Sequence, residues 1–200
     1  MDEQCTIPGV RKYLLAMKKK NNKSIKPNNM RTIILALLLF PFIAIAQKQE
    51  VYLSLTDASG QQIKGDATIK GFERSINVLS FASSGKNNSQ LNFSMNVGAS
   101  AADLKRAMGS GALLVNGTLT VTQVSPSMGR PILLYTVKME NISVNSCIES
   151  MGCNNVMTTS TLLTATRIGW TYYQTDRSGI QTVSRKYGYD MDGGKEWTNF

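Results

Sequence analysis

The sequence contains no histidine. That removes the side chain most often used as a general base at neutral pH and the commonest metal ligand. Cysteine is nearly absent as well, with three in 200 residues, and Cys5 stands far from the other two. Proline is scarce, at five, so little of the chain is barred from regular structure. Long helical periodicity is missing except at one short place. A basic stripe is missing too. The formal charge of +9 belongs mostly to the first 46 residues, where eight Lys/Arg face two Asp/Glu for a balance of +6. The remaining 154 residues hold fourteen against eleven, or +3, and this is no electrostatic footprint for nucleic acid.

What is present begins with an apolar run. Fourteen residues from Ile33 to Ala46 carry no polar side chain, and Lys18, Lys19, Lys20, Lys23, Lys26 and Arg31 precede them. A membrane-spanning helix needs about 20 apolar residues. A secretory signal needs a basic start, about 7–15 apolar residues and a small-x-small exit. Ala44-Ile45-Ala46 supplies that exit. The expectation is a leader over residues 1–46, with Met17 or Met30 as alternative true starts, cleaved between Ala46 and Gln47. An uncleaved anchor and a buried core helix are the alternatives. Export to the periplasm or medium follows from cleavage, and the membrane is met only through the leader before it is cut. One domain of residues 47–200 remains, long enough for a real core.

That domain reads as β structure. "VYLSL" (51–55) alternates, and so does "LNFSMNV" (91–97), with Leu91, Phe93, Met95 and Val97 in register. "SINVLSFAS" (75–83) is a further strand. "ALLVNGTLTVTQV" (112–124) contains Asn116-Gly117, read as a hairpin turn or a bulge. "ILLYTVKMENISV" (132–144) is a strand, "NSCIESMGCNN" (145–155) a loop, and "VMTTSTLLTATRIGWTYYQT" (156–175) a long strand rich in Thr and aromatics. "DRSG" turns and "IQTVSRKYGYDM" (180–191) returns. The exception is "ASAADLKRAMGSG" (99–111), a helix of about two turns. Ser100 is its expected N-cap with Asp103 three residues on, Leu104 and Met108 share its apolar face, and Gly109 and Gly111 stop it. The fold expected is mainly β, an antiparallel barrel or sandwich with one short helix.

Three local patterns invite chemistry and fail its requirements. Ser83-Ser84-Gly85-Lys86 matches S-x-x-K, but sits in a polar loop between strands rather than at a helix start; it reads as a solvated turn. Asp190 and Asp192 precede glycines, yet a calcium loop needs more oxygens at fixed spacing. Ile168, Trp170 and Tyr172 form an aromatic-rich strand face, read as core or subunit interface. No catalytic residue, metal site or cofactor is expected. Cys147 and Cys153, a pair in an exported chain, read as a disulfide.

Taken in order, "VYLSL" with "SINVLSF", "LNFSMNVGASAADLKRAMGSG", "LLYTVKMENISVNS" and "IGWTYYQTD…SGIQTVSRKYGYDMDGGKEWTNF" resemble the Hcp family, the tube proteins of type VI secretion. The resemblance covers residues 51–200. It implies a two-sheet antiparallel β-barrel like that of phage tail tubes, with one flanking helix and no catalysis. It implies a homo-oligomer of six copies in a ring and rings stacked into a tube, with the secretion apparatus or a small effector cargo as partners and no nucleic acid. It also places Tyr187, Tyr189 and Trp197 near the ring contacts. The leader departs from the family, whose members are loaded from the cytoplasm. It points to an exported relative. A monomeric exported β-sandwich that binds a surface glycan or protein is the alternative function.

N-terminal sequencing of protein recovered from the periplasm or medium is expected to start at Gln47. Intact mass of that sample should be two hydrogens light, with alkylation blocked until reduction. Full-length protein in the soluble cytoplasm would contradict export.

Overall fold

The chain divides into two units, Met1–Ala46 and Gln47–Phe200. The computed structural model describes residues 48–84, 89–124, 131–152, 155–176 and 178–200, all in the second. The leader and its cleavage site lie outside the described residues, as do Lys86 and Cys153. Among the described residues no helix is long and apolar enough to cross a membrane.

Among the described residues, eight strands and one helix follow in the order β1 (Gln49–Thr56), β2 (Ile76–Ser84), β3 (Gln90–Asn96), α1 (Ala99–Ser110), β4 (Leu114–Val124), β5 (Pro131–Met151), β6 (Met157–Thr175), β7 (Gln181–Asp190) and β8 (Lys195–Glu196). All pairings between strands are antiparallel, in the order β3-β2-β1-β4-β5-β6-β7-β8, and β3 also pairs with β6. That extra pairing closes six strands into a barrel and leaves β7 and β8 as a wing on β6. The alternation predicts this well. Leu53 and Leu55 of β1, Leu91, Phe93 and Met95 of β3, and Leu163 of β6 are buried in one core with Leu119, Val137, Met139 and Ile168.

β6 serves two partners along one edge. Its Thr158–Thr164 half pairs with β3, and its Arg167–Thr175 half pairs with β7. The other edge runs against β5 almost throughout. At one level the pleat of three neighbouring strands changes phase together. Buried positions step by three rather than two, from Leu114 to Gly117, Met139 to Ile142 and Ala165 to Ile168. Because the partners change in step, the β5–β6 register stays continuous there, with Met139↔Ile168, Glu140↔Arg167 and Ile142↔Ala165. Asn141 marks the crease with a left-handed backbone, φ 49°, a region in which Asn is among the few tolerated side chains.

This crease overturns the hairpin-or-bulge expectation for Asn116-Gly117. β4 runs straight through the dipeptide. Gly117 is needed for closeness instead. A Cβ there would stand 2.7 Å from Ile142 Cδ1, 2.9 Å from Leu55 Cδ2 and 3.1 Å from Met139 Cε. The expected loop over 145–155 is also corrected, since β5 continues to Met151. Its polar residues hid the pattern because this half of the strand is covered by α1 and not by a second sheet layer.

The helix is real but capped differently. Gly98 is its N-cap, with no side-chain capping bond, and Ser100 lies buried within the first turn, its hydroxyl directed at Met95 Sδ (3.5 Å). Asp103 pairs with Arg106 instead (3.4 Å). Ser100, Ala101, Leu104 and Ala107 form the buried face, whereas Met108 is exposed. Gly111 ends the helix in the left-handed conformation, φ 67°, as expected. Two bonds fasten α1 to β5: Lys105 Nζ to Glu149 Oε1 at 2.6 Å and the Cys147 thiol towards Ala101 O at 3.9 Å.

One turn is built twice. Asp57 Oδ1 accepts Ser59 N–H (2.9 Å), Ser59 Oγ–H (2.7 Å) and Gln61 N–H (2.9 Å). Asp176 Oδ1 accepts the same three donors from Ser178 and Ile180 at 2.9, 2.7 and 2.9 Å. The shared D-x-S-G spelling sets it, with Gly60 at φ 80° and Gly179 at φ 83°. In both, the hydroxyl and amide donors hold the carboxyl below its ordinary pKa.

Gly117→Ala is expected to destabilise the domain by about 1–3 kcal/mol, the usual cost of overpacking a core. Chemical denaturation checks it, as a lower midpoint with an unchanged slope.

Candidate assembly surface

The wing formed by β6, β7 and β8 carries the residues that the sequence singles out. Tyr187 pairs with Trp170 across the strands, and their rings stack 6.1 Å apart at 16°. Trp170 is buried and Tyr187 is 47% exposed. Trp170 Nε1–H donates to Ser83 Oγ (3.2 Å), and that hydroxyl also bonds the Tyr135 phenol (3.2 Å). Ser83 is therefore a structural link between β2, β5 and β6. Burial pushes the Tyr135 phenol up to about 12. Phe81 and Tyr172 flank Tyr135, at 6.3 and 4.9 Å between ring centres. Of the strand face Ile168, Trp170 and Tyr172, the first two are core and the third is exposed.

Beyond β7 the chain folds back over its own sheet. Tyr189 is half-buried, and Trp197 is buried, its N–H donating to Gly188 O (3.0 Å). Phe200 sits against Gly169 and Gly188, which face each other across β6 and β7. A Cβ on either glycine would come within 2.5 Å of the Phe200 ring. Two opposed glycines thus make a flat socket for one aromatic ring, a place where an added methyl has no room. Trp197 borders the ring at 4.8 Å, and Lys186 Nζ lies 4.1 Å above it while bonding Phe200 O. This socket is not legible from either glycine alone; only the register that opposes them reveals it.

Asp190 is accounted for by charge pairing. Arg167 Nε–H donates to Asp190 Oδ2 (3.0 Å) and Nη1–H to Glu140 Oε2 (3.2 Å), joining β5, β6 and β7. Asp190 Oδ1 accepts Gly193 N–H (3.0 Å). The Gly193 bond, with the Arg167 guanidinium, holds the Asp190 carboxyl below its ordinary range although burial opposes this. The cleft beside this triad, about 500 Å³, is lined by Lys195, Glu196 and Trp197. With its carboxylates engaged, Arg167 has no unneutralised charge to offer an anion. Among the described residues no three acidic or sulfur ligands gather as a metal site would need.

Cys147 is buried, its sulfur accepting Thr161 Oγ1–H (3.7 Å). Its proposed partner Cys153 is outside the described residues.

One edge remains open. β8 covers β7 only at Tyr189 and Asp190. Thr182 to Tyr187 are exposed, and no strand among the described residues pairs with their outer edge. An exposed edge is a template for another chain. Arg185 and Lys186 set charges on it, the usual guard against unspecific pairing.

The family model described as type VI secretion system effector, Hcp, matches residues 52–172. The chain has no match among curated proteins. Among solved structures, Hcp1 from Salmonella typhimurium is similar with a TM-score of 0.61 at 18% identity, covering 74% of this chain and 99% of that one. Hcp1 from E. coli EAEC 042 is similar at 0.56 and 21%, covering 71% and 98%. The secreted protein Hcp3 from Pseudomonas aeruginosa is similar at 0.56 and 17%, covering 72% and 98%. At these identities the structures share the fold.

The Asp190 clamp has a definite pH signature. Its folded pKa is depressed, so its stabilisation is full above the unfolded value of about 3.9 and is lost as pH falls through the folded value. Asp190→Asn is expected to lower Tm at pH 7, and the gap from wild type should close at the acid end of the range. A gap that stays constant from pH 7 to 2 would remove the electrostatic account.

Proposed function

The chain belongs to the Hcp family of type VI secretion proteins, and from that premise we propose that it is exported and assembles as six copies in a ring, with rings stacking into a tube. The family is one of structural tube proteins rather than enzymes. The closed barrel and the family match do not favour the monomeric sandwich. The observation that carries the ring reading is the open outer edge of β7 from Thr182 to Tyr187. A ring forms when each copy presents one surface to a different surface of the next and the rotation closes. Strand edges offer such a surface through main-chain bonds, and Tyr187 adds apolar area beside it. Tyr189 and Trp197 support that edge from behind rather than across a contact. The lumen of a ring suits a small effector cargo. The leader over residues 1–46 directs the protein to the periplasm or medium, and the Cys147–Cys153 bond belongs to the same exported form.

Size-exclusion chromatography and negative-stain microscopy test this. Wild-type protein should elute as a hexamer and show rings. Tyr187→Asp should keep its β-type circular dichroism and elute as a monomer. Trp197→Ala should instead lower stability by about 3–5 kcal/mol, as large-to-small core changes do, while the surviving folded protein still assembles. Wild-type protein that stays monomeric at high concentration would defeat the ring reading.

A further inference from the structure

Along one edge, β6 changes partner. β3 leaves it at Gln90↔Thr164, and β7 takes it up at Asp190↔Arg167. In the fork between them lies a cavity of about 310 Å³. That is the lower end of the range for small-molecule sites, about 300–1,000 Å³. The strands' own bonds are made at the fork: Ala165 N–H donates to Ser89 O (2.8 Å), and Met191 N–H to Thr166 O (2.9 Å). Two hydroxyls there are not engaged. Ser89 is 1% exposed, and neither its Oγ nor Thr164 Oγ1, both buried, has a hydrogen-bond partner among the described residues. Both residues line the cavity. Buried hydroxyls are almost always paired, and an unpaired one lowers stability. Two of them at one cavity are not accounted for by folding alone.

We propose that this fork binds a neutral pyranose sugar, as a free saccharide or as the terminal ring of a longer one. Among the residues lining the cavity Asp192 alone is charged. No lysine or arginine stands there to hold a phosphate or carboxylate. One carboxylate falls short of what a calcium ion needs, and no three acidic or sulfur ligands gather among the described residues. A neutral ligand rich in hydroxyls remains. The Ser89 and Thr164 hydroxyls can each donate and accept, the Asn141 amide does both, and the Asp192 oxygens accept. Ser143 Oγ–H donates to Asn145 Oδ1 (3.2 Å) and keeps a lone pair to accept with. Donors and acceptors in alternation suit the vicinal hydroxyls of a sugar ring. Leu113, 51% exposed, and Met191 give the cavity an apolar side for the C–H face of that ring. Water would satisfy the hydroxyls but gains nothing from Leu113. The fork lies at the Asp190 end of β7, away from the Thr182–Tyr187 edge. The site therefore adds a ligand to a tube protein and leaves the ring contact free.

Saturation-transfer difference NMR tests this on protein purified from cells expressing the full chain, with glucose, galactose, mannose and N-acetylglucosamine as probes. At least one should give a saturable signal. Ser89→Ala and Thr164→Val should each weaken that sugar roughly tenfold, the loss of one hydrogen bond in a site, and the double variant should lose the signal. Neither change should lower Tm, because each removes an unpaired hydroxyl. No signal from any of the four sugars at tens of millimolar would overturn the proposal, and so would binding unchanged in the double variant. A lower Tm in both single variants would assign the hydroxyls to buried water and overturn it as well. The double variant leaves the β7 edge intact and should form rings as wild type does, so failure of the sugar site and failure of the ring reading are told apart.

Discussion

Seven residue pairs hold the molecule closed: Gln90 to Asn96 of β3 against Thr164 to Thr158 of β6. Without them the eight strands form an open sheet with β3 as a bare edge, and the inward row Leu91, Phe93 and Met95 faces water. With them, that row is buried to within 1%. The ring of six strands then fixes everything outside it. β3 ends at Asn96, so α1 must start at once and lie over β5. β6 outlasts β3 by about half its length, so its second half is free to carry β7. The wing, its open edge and the glycine socket all descend from that mismatch in strand length.

Apolar burial supplies most of the driving force, and polar groups decide the register. Arg167 is the clearest case. It lies where β6 changes partner from β3 to β7, and its two carboxylates come from the strands on either side. Main-chain pairing alone leaves the wing free to slide, and a slip of one residue would turn every β7 side chain to the wrong face. The guanidinium fork accepts only the register in which Asp190 and Glu140 both reach it. The two Asp-centred turns, at opposite ends of the sequence, do similar work for the loop after β1 and the β6–β7 connection.

Much of the fold was legible because inward and outward positions alternate. β1 and β3 show apolar residues at every second place, and closure makes one face of each dry. The second half of β5 was not legible, since Ser143, Asn145, Ser146 and Glu149 interrupt the pattern where a single helix covers the strand. Asn116-Gly117 misled because the pair is the strongest short hairpin signal, and here the glycine answers to packing against Ile142 and Leu55. Ser100 had the right chemistry for a cap and the wrong position, two residues too far in. The aromatic C-terminal stretch was recognisable, yet its division into buried Trp197 and exposed Tyr187 depends on Gly169 and Gly188 being opposed, which only the register decides.

The crease through β4, β5 and β6 bears on how such a chain can drift. An insertion of one residue in any of these strands would displace the change of phase in that strand alone. Ile142, Gly117 or Ile168 would then turn outward while its neighbours stayed inward. Length variation at this level must therefore occur in three strands at once or not at all. Relatives should differ in length at the hairpin turns and keep the spacings 114–117, 139–142 and 165–168, so the crease acts as a ruler against which distant sequences can be aligned.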